Sequence, residues 1–276
     1  MGLPLFPPGE DPGPSFAALI RRDPLAGDVA RPGVVGVTPA GAGGGHAAPA
    51  VAHGTTVVAL RYGEGVIMSG DRRATEGNII AHRGLEKVFP ADRHSAVAIA
   101  GAAGPAIEMV KLFQTQLEHY EKVEGVALSL EGKANQLGQM VREHLPMAMQ
   151  GLVVVPLFAG YDVRRQLGRI FTYDVTGGHY EEADHGATGS GGRDARTTIK
   201  LGWRPELSRD EGIELVVRAL YEAADEDSAT GGPDLVRGIF PVVATVTAEG
   251  YERVDEAEVA ERFAVLVERR QGGAGP

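Results

Sequence analysis

In the run His53-Gly54-Thr55-Thr56-Val57-Val58 a glycine precedes a threonine that opens a stretch of β-formers. Cleavage between Gly54 and Thr55 turns that threonine into an N-terminus. Its α-amine, which titrates at about pH 8 when free, then lies within reach of its own hydroxyl and acts as the base. The glycine also permits the tight backbone that lets the threonine hydroxyl attack the preceding carbonyl. Asp71 follows in Gly70-Asp71-Arg72-Arg73, and Lys87 in Glu86-Lys87-Val88-Phe89. Beside a reactive amine, a buried lysine held by an aspartate lowers the pKa of amine and hydroxyl alike. Taken singly, each residue has an ordinary reading: a strand-opening threonine, a turn aspartate beside an arginine, a solvated strand lysine. The position of Thr55 at a compositional border favours the chemical reading.

That border is sharp. Of the 17 prolines 9 lie before Thr55, and so do 11 of the 39 glycines. Residues 1–54 therefore read as a flexible leader, since such a composition cannot sustain a packed core. Residues 55–276 are ample for one domain. The leader lacks the basic start and continuous apolar stretch of a signal peptide, because Pro4, Pro7 and Pro8 interrupt its early hydrophobics. No apolar run approaches the roughly 20 residues that span a bilayer, so the expectation is a soluble, cytoplasmic chain.

Composition excludes other chemistries. With no cysteine there is no disulfide, thiolate metal site or cysteine nucleophile. A net charge of −10 with scattered basic residues argues against a nucleic-acid surface. The 8 histidines form no His-Glu-x-x-His pattern, and the glycine runs at 41–45 and 189–192 lack the Lys-Ser/Thr ending of a phosphate loop. No metal or cofactor is expected.

Periodicity supplies the elements that must position these residues. Segments 55–62 and 65–69 suggest a hairpin, and 79–81, 87–90 and 94–100 further short strands. A helix is predicted over 105–121, burying Ile107, Val110, Phe113, Leu117 and Tyr120, and a second over 130–149, burying Leu137, Met140, Val141 and Leu145. Strands at 152–161, 169–174 and 179–183 precede helices at 193–202 and 208–226. The latter starts with the capping box Ser208-Arg209-Asp210-Glu211. A strand at 239–247 and a helix at 255–270 end the chain. The order implies an α+β fold, with two sheets carrying helices on both outer faces.

Thr55, Asp71 and Lys87 stand at offsets of 0, +16 and +32. With Gly70-Asp71-Arg72-Arg73-Ala74-Thr75, Ile99-Ala100-Gly101, Gly189-Ser190-Gly191 and Asp227-Ser228-Ala229-Thr230-Gly231-Gly232, the chain resembles the proteasome β-subunit family over essentially all of 55–270. Residues 223–238 look most like its actinobacterial 20S branch, while the leader matches only in role, as a propeptide.

The resemblance implies an N-terminal nucleophile hydrolase with a four-layer αββα sandwich. It implies a threonine endopeptidase that degrades unfolded proteins in an enclosed chamber after cutting itself between Gly54 and Thr55. By match, Thr55 Oγ is the nucleophile and its freed amine the proton acceptor. Lys87 tunes both and Asp71 holds it. Ser190, Asp227 and Thr230 surround the amine, and the Gly101 N–H forms the oxyanion hole. Thr230 departs from the serine of many members but keeps a hydroxyl. Thr75 and Ala103 would flank an extended peptide bound as an added strand. Ala74, Leu85, Phe89, Ile99, Ala103 and Ile107 would line the pocket beneath its side chain.

Implied partners are a homo-heptameric β ring stacked on a second β ring, α-subunit rings, a ring ATPase and a protein-tag pathway. The simpler two-ring bacterial peptidase of the same superfamily is a rival reading, opposed by the long leader and the 227–232 motif. A non-catalytic ring-building subunit is another, opposed by the presence of Thr55, Asp71 and Lys87 together.

Overall fold

The computed structural model describes residues 54–77 and 79–272; the leader expected over 1–54 thus lies outside the described residues except for Gly54. Thr56–Tyr62 (β1) and Gly65–Gly70 (β2) form the expected antiparallel hairpin, and almost every residue of both is buried. Successive strand side chains point to opposite faces, so apolar residues on both faces mean cover on both faces. Val57 and Ala59 face a core shared with a second sheet, whereas Val58 and Leu60 pack under helices.

After β2 come Ala74–Glu76 (β3) and Ile79–His82 (β4), a small two-stranded sheet, then Val88–Asp92 (β5) and Ser95–Gly101 (β6). Ala103–Glu124 (α1), Leu130–Glu143 (α2) and Leu145–Ala148 (α3) follow. Next are Val154–Asp162 (β7), Leu167–Tyr173 (β8), His179–Glu182 (β9) and His185–Gly189 (β10). Gly192–Gly202 (α4), Arg209–Glu226 (α5), Val242–Val246 (β11), Tyr251–Arg253 (β12) and Glu256–Gly272 (α6) complete the described chain.

One five-stranded sheet runs β10-β1-β2-β11-β12 and the other β5-β6-β7-β8-β9. Between them lies a core of small and branched residues that includes Val66, Met68, Ala96, Ala98, Leu157 and Ile170. Outside the first sheet, Ile213, Val216 and Leu220 of α5 and Phe263 of α6 cover Leu60 and Ile67. Outside the second, Val110 and Phe113 of α1 and Leu137 of α2 cover Val97, Phe158 and Phe171. Helix, sheet, sheet, helix is the expected four-layer order.

Several expectations need correction. The helix predicted over 130–149 breaks at His144, because Pro146 lacks an amide donor and disfavours helical backbone before it. Leu145 is consequently only half-buried. On α1, Val110, Phe113 and Leu117 are buried as expected, but Ile107 is half-buried and Tyr120 is exposed. The strand predicted over 239–247 begins only at Val242. The short strands β3, β10 and β12 were not anticipated. The Ser208–Glu211 capping box forms as read, with the Ser208 hydroxyl accepting from Glu211 N–H and the Glu211 carboxylate accepting from Ser208 N–H.

Candidate active site

Thr55 sits just ahead of β1, whose two neighbours bring the other groups to it. On one side Thr56 pairs with Gly189 of β10, and Ser190 N–H donates to Thr55 O at 2.8 Å. On the other side β2 delivers Asp71: Asp71 N–H donates to Thr56 O at 3.1 Å, and Thr56 N–H returns a bond to Asp71 Oδ1 at 2.8 Å. Thr55 itself is 4% exposed.

Lys87, at the entrance to β5, donates from Nζ to Asp71 Oδ1 and to Arg73 O, each at 2.6 Å. The second Asp71 oxygen accepts from Arg73 N–H at 2.9 Å and Gly231 N–H at 2.8 Å. Lys87 is 2% exposed and Asp71 fully buried. Burial pushes the Lys87 ammonium below the ordinary lysine range; the charge and hydrogen bond of Asp71 oppose that, and the Arg73 charge adds to it. An ammonium carries three donors and two are engaged, which leaves one for charge that develops nearby.

The third group lies past β10 and past α5. Thr55 N–H donates to Ser190 Oγ at 3.3 Å, and the Ser190 hydroxyl donates to Asp227 Oδ2. Thr230 Oγ1 donates to the same oxygen at 2.6 Å, and Ala229 N–H to Asp227 Oδ1 at 3.1 Å. Burial pushes the Asp227 carboxyl up, but the bonds from Ser190, Thr230 and the local amides outweigh it and hold the group below its usual value. Thr230, the departure from serine, is fully buried and also touches Thr56 Oγ1 at 2.6 Å.

Register decides where the Gly101 N–H points. Ile99 N–H donates to Lys87 O on the β5 side, and Ala102 N–H to Val153 O on the β7 side. Alternation therefore turns Gly101 N–H to the β5 side, at the edge where Lys87 leads into that strand. Gly101 has φ +116°, and a Cβ there would lie 2.0 Å from Val153 O, so only glycine fits.

The Gly54–Thr55 peptide bond is held from both sides. Thr55 Oγ1 donates to Gly54 O at 2.8 Å, and Gly54 N–H to Thr75 Oγ1 at 3.1 Å. A Cβ on Gly54 would come within 1.9 Å of Ala229 Cβ, so the 227–232 turn admits only glycine before Thr55.

One hydrogen-bonded set thus joins Thr75, Gly54, Thr55, Ser190, Asp227, Thr230, Asp71 and Lys87. The pocket candidates join it only by position. Ala74 on β3 and Leu85 before β5 are half-buried, as are Ala103 and Ile107 on the first turns of α1. Ile99 is buried in the core beneath α1 with Ala106 and Val110, and Phe89 packs against that core.

Sequence reasoning missed Thr56, whose amide and hydroxyl bridge the Asp71 and Thr230 groups. It also missed the carbonyl of Arg73 and the amide of Gly231. Thr56 had a signal in the doubled threonine, but a β-branched residue opening a strand gives no hint of a buried hydroxyl's partner. Backbone groups give none at all.

Comparison with known proteins adds to this geometry. The family profile described as "Proteasome subunit" matches residues 51–236. The "Proteasome subunit beta" of Acidimicrobium ferrooxidans is 63% identical over 266 residues, covering 95% of this chain and 92% of that protein. The "Proteasome subunit beta" of Streptomyces griseus subsp. griseus is 60% identical over 218 residues, covering 79% of this chain and 78% of that protein. Both relatives are actinobacterial, in line with the branch resemblance. The Acidimicrobium match also runs into the segment ahead of Thr55, where the sequence alone had suggested similarity only of role.

Proposed function

The chain belongs to the proteasome subunit family, and from that premise we propose that it activates itself at the Gly54–Thr55 bond. It is a catalytic β subunit of a 20S proteasome, with threonine-type endopeptidase activity. The observation that carries the proposal is the Thr55 hydroxyl resting 2.8 Å from the carbonyl oxygen of the bond to be cut, beside the buried Lys87–Asp71 pair.

Before processing, the Thr55 nitrogen is an amide and cannot serve as a base. Thr55 Oγ attacks the Gly54 carbonyl carbon, and the carbonyl electrons move onto oxygen as a C–O bond forms. Collapse of that adduct breaks the C–N bond, and the proton lost by the hydroxyl ends on the Thr55 nitrogen. The result is an ester between Gly54 and Thr55 Oγ with a free amine. Water adds to the ester, releases residues 1–54 with a new carboxylate on Gly54, and restores the hydroxyl.

In the mature enzyme the same atoms act on other chains. The α-amine takes the Thr55 hydroxyl proton as Oγ attacks a peptide carbonyl, then gives a proton to the leaving amine; water later hydrolyses the acyl ester. Lys87, positioned by Asp71, stabilises the developing alkoxide. Gly101 N–H is aimed at the oxyanion, a role whose removal typically costs about 3–4 kcal/mol of barrier. Ser190, Asp227 and Thr230 hold the amine. The substrate lies extended along Thr75 and Ala103, with a side chain toward Ala74, Phe89 and Ile99.

Assembly belongs to the same proposal: heptameric β rings stacked back to back, α rings at the ends, and a ring ATPase with a protein tag delivering substrate in the cytoplasm. Enclosure keeps a nucleophile that accepts any extended peptide away from folded proteins.

Intact mass after co-expression with a matching α subunit tests the reading. Loss of residues 1–54 with Thr55 at the new N-terminus is the expected result. Thr55→Ala should retain the leader and lose peptidase activity, and leader removal in that variant would overturn the intramolecular route.

A further inference from the structure

Next to the nucleophile, Thr56 carries a buried hydroxyl that the mechanism above does not use. Thr56 is fully buried, and its Oγ1 stands in a line of hydrogen bonds whose directions follow from counting protons. The Asp227 carboxylate only accepts, and it receives both the Thr230 and the Ser190 hydroxyls on Oδ2. Thr230 has a single proton and directs it to Asp227. In its 2.6 Å contact with Thr56 Oγ1, Thr230 is therefore the acceptor and Thr56 the donor. Thr56 Oγ1 in turn accepts from Gly191 N–H at 2.9 Å.

The same count applies to Ser190. With its proton on Asp227, it turns a lone pair to the Thr55 nitrogen at 3.3 Å. It has a second acceptor in reach, Thr55 O at 3.4 Å, to which its proton would swing if Asp227 shifted. One line thus runs from Gly191 N–H through Thr56 and Thr230 to Asp227, where Ser190 and the future α-amine meet it. Bonds aligned in one direction polarise and stiffen each other. The β-branched Thr230 has fewer rotamers than a serine, so the line is less free to break there.

We propose that Thr56 is a positioning residue for the reaction: its hydroxyl, donated to Thr230, locks Asp227 and Ser190 so that Ser190 accepts from the α-amine and turns it toward Thr55 Oγ. This rests on the reading that the freed Thr55 amine is the base. The charged groups around that amine are Asp227 beyond α5, Asp71 after β2 and Lys87 before β5. Arg73 lies further out, with its guanidinium on Ser228 O at 2.9 Å. A change of the Thr56 side chain removes none of these charges, so a moved titration would report the relay.

The test uses assembled, processed particles and a short peptide substrate, with kcat/KM read across pH. Thr56→Val keeps the branched shape and removes the hydroxyl. It should lower kcat/KM about 10- to 100-fold, as misplaced catalytic groups do. It should also move the acid limb down by about half a pH unit, because the protonated amine loses its oriented acceptor. Thr56→Ser should restore both. Thr230→Val breaks the next link and should displace the limb alike, and the double variant should displace it no further, since both act through one line.

An unmoved limb in Thr56→Val and Thr230→Val, whatever their rates, overturns the proposal. So does a Thr56→Ser enzyme that behaves like Thr56→Val. Should Thr56→Val not assemble, the limb of Thr230→Val decides. A wild-type particle that retains its leader and hydrolyses nothing would sink the parent reading instead, and is told apart by that control.

Discussion

Among the described residues two lysine–aspartate pairs lie largely out of solvent, and they do different things. Lys87 with Asp71 sits behind Thr55, with side chains 2% and 0% exposed. Lys133 of α2 with Asp92 of β5 is nearly as buried, at 5% and 17%. Asp92 spends its acceptors on the turn that follows it, taking His94 N–H at 3.1 Å and Ser95 Oγ at 2.6 Å. Lys133 thus fastens a helix to the rim of a sheet. Asp71 instead accepts from Thr56, Arg73 and Gly231 amides, each belonging to a segment that touches the nucleophile or its neighbours. The ion pair is the same chemistry in both places. What suits one of them to the proposed catalysis is the backbone around it, which ties Asp71 to the amides of Thr56, Arg73 and Gly231.

Lys87→Met gives the largest separation of the two. It removes the cation and strands the Asp71 charge, which costs about 3–5 kcal/mol for a buried pair broken on one side. Peptide hydrolysis should fall at least about a thousandfold, read on particles whose assembly is verified by mass. Lys133→Met should cost about 2 kcal/mol, less because Asp92 keeps its other donors and some solvent. That corresponds to a midpoint lowered by about 4–8 °C in thermal unfolding, with kcat/KM within about threefold of wild type. Equal activity losses in the two variants would erase the distinction.

Asp71→Asn sharpens it through pH. The Lys87 pKa is already depressed, so the folded chain releases that proton before the unfolded chain does. Between the depressed value and the ordinary 10.5 the unfolded state binds more protons, and this group's contribution to stability rises with pH across that window. On the proposed mechanism activity runs the other way, because the neutral amine of Lys87 would no longer stabilise the alkoxide. The alkaline limb of kcat/KM should therefore lie below the ordinary lysine range. In Asp71→Asn, with the opposing charge gone, it should move lower still, and kcat should drop about a hundredfold or more. A limb that stays put would detach Lys87 from catalysis.

The smallest effect is expected from a third pair, Lys122 with Glu118 on α1, whose side chains are 72% and 66% exposed. Lys122→Gln should leave both the unfolding midpoint and activity unchanged within error, since solvent screens such pairs.

The layer order was legible because continuous apolar strands need cover on both faces, and long helices with one apolar stripe provide it. Boundaries blurred where a local rule competed with the period, as at Pro146, and β3, β10 and β12 are too short or too polar to carry a period. For the site, the sequence by itself singled out Thr55, Asp71 and Lys87 as candidates, because a cleavable Gly-Thr step at a compositional border suggests a chemistry that would use them. Ser190, Asp227 and Thr230 were reached only through resemblance. The tertiary structure alone decided that Thr56 joins the two halves of the site, that Gly101 N–H turns to the β5 side, and that Ala229 forces glycine before Thr55. Those facts depend on contacts between residues up to 175 positions apart and on strand register, and local composition carries no record of either.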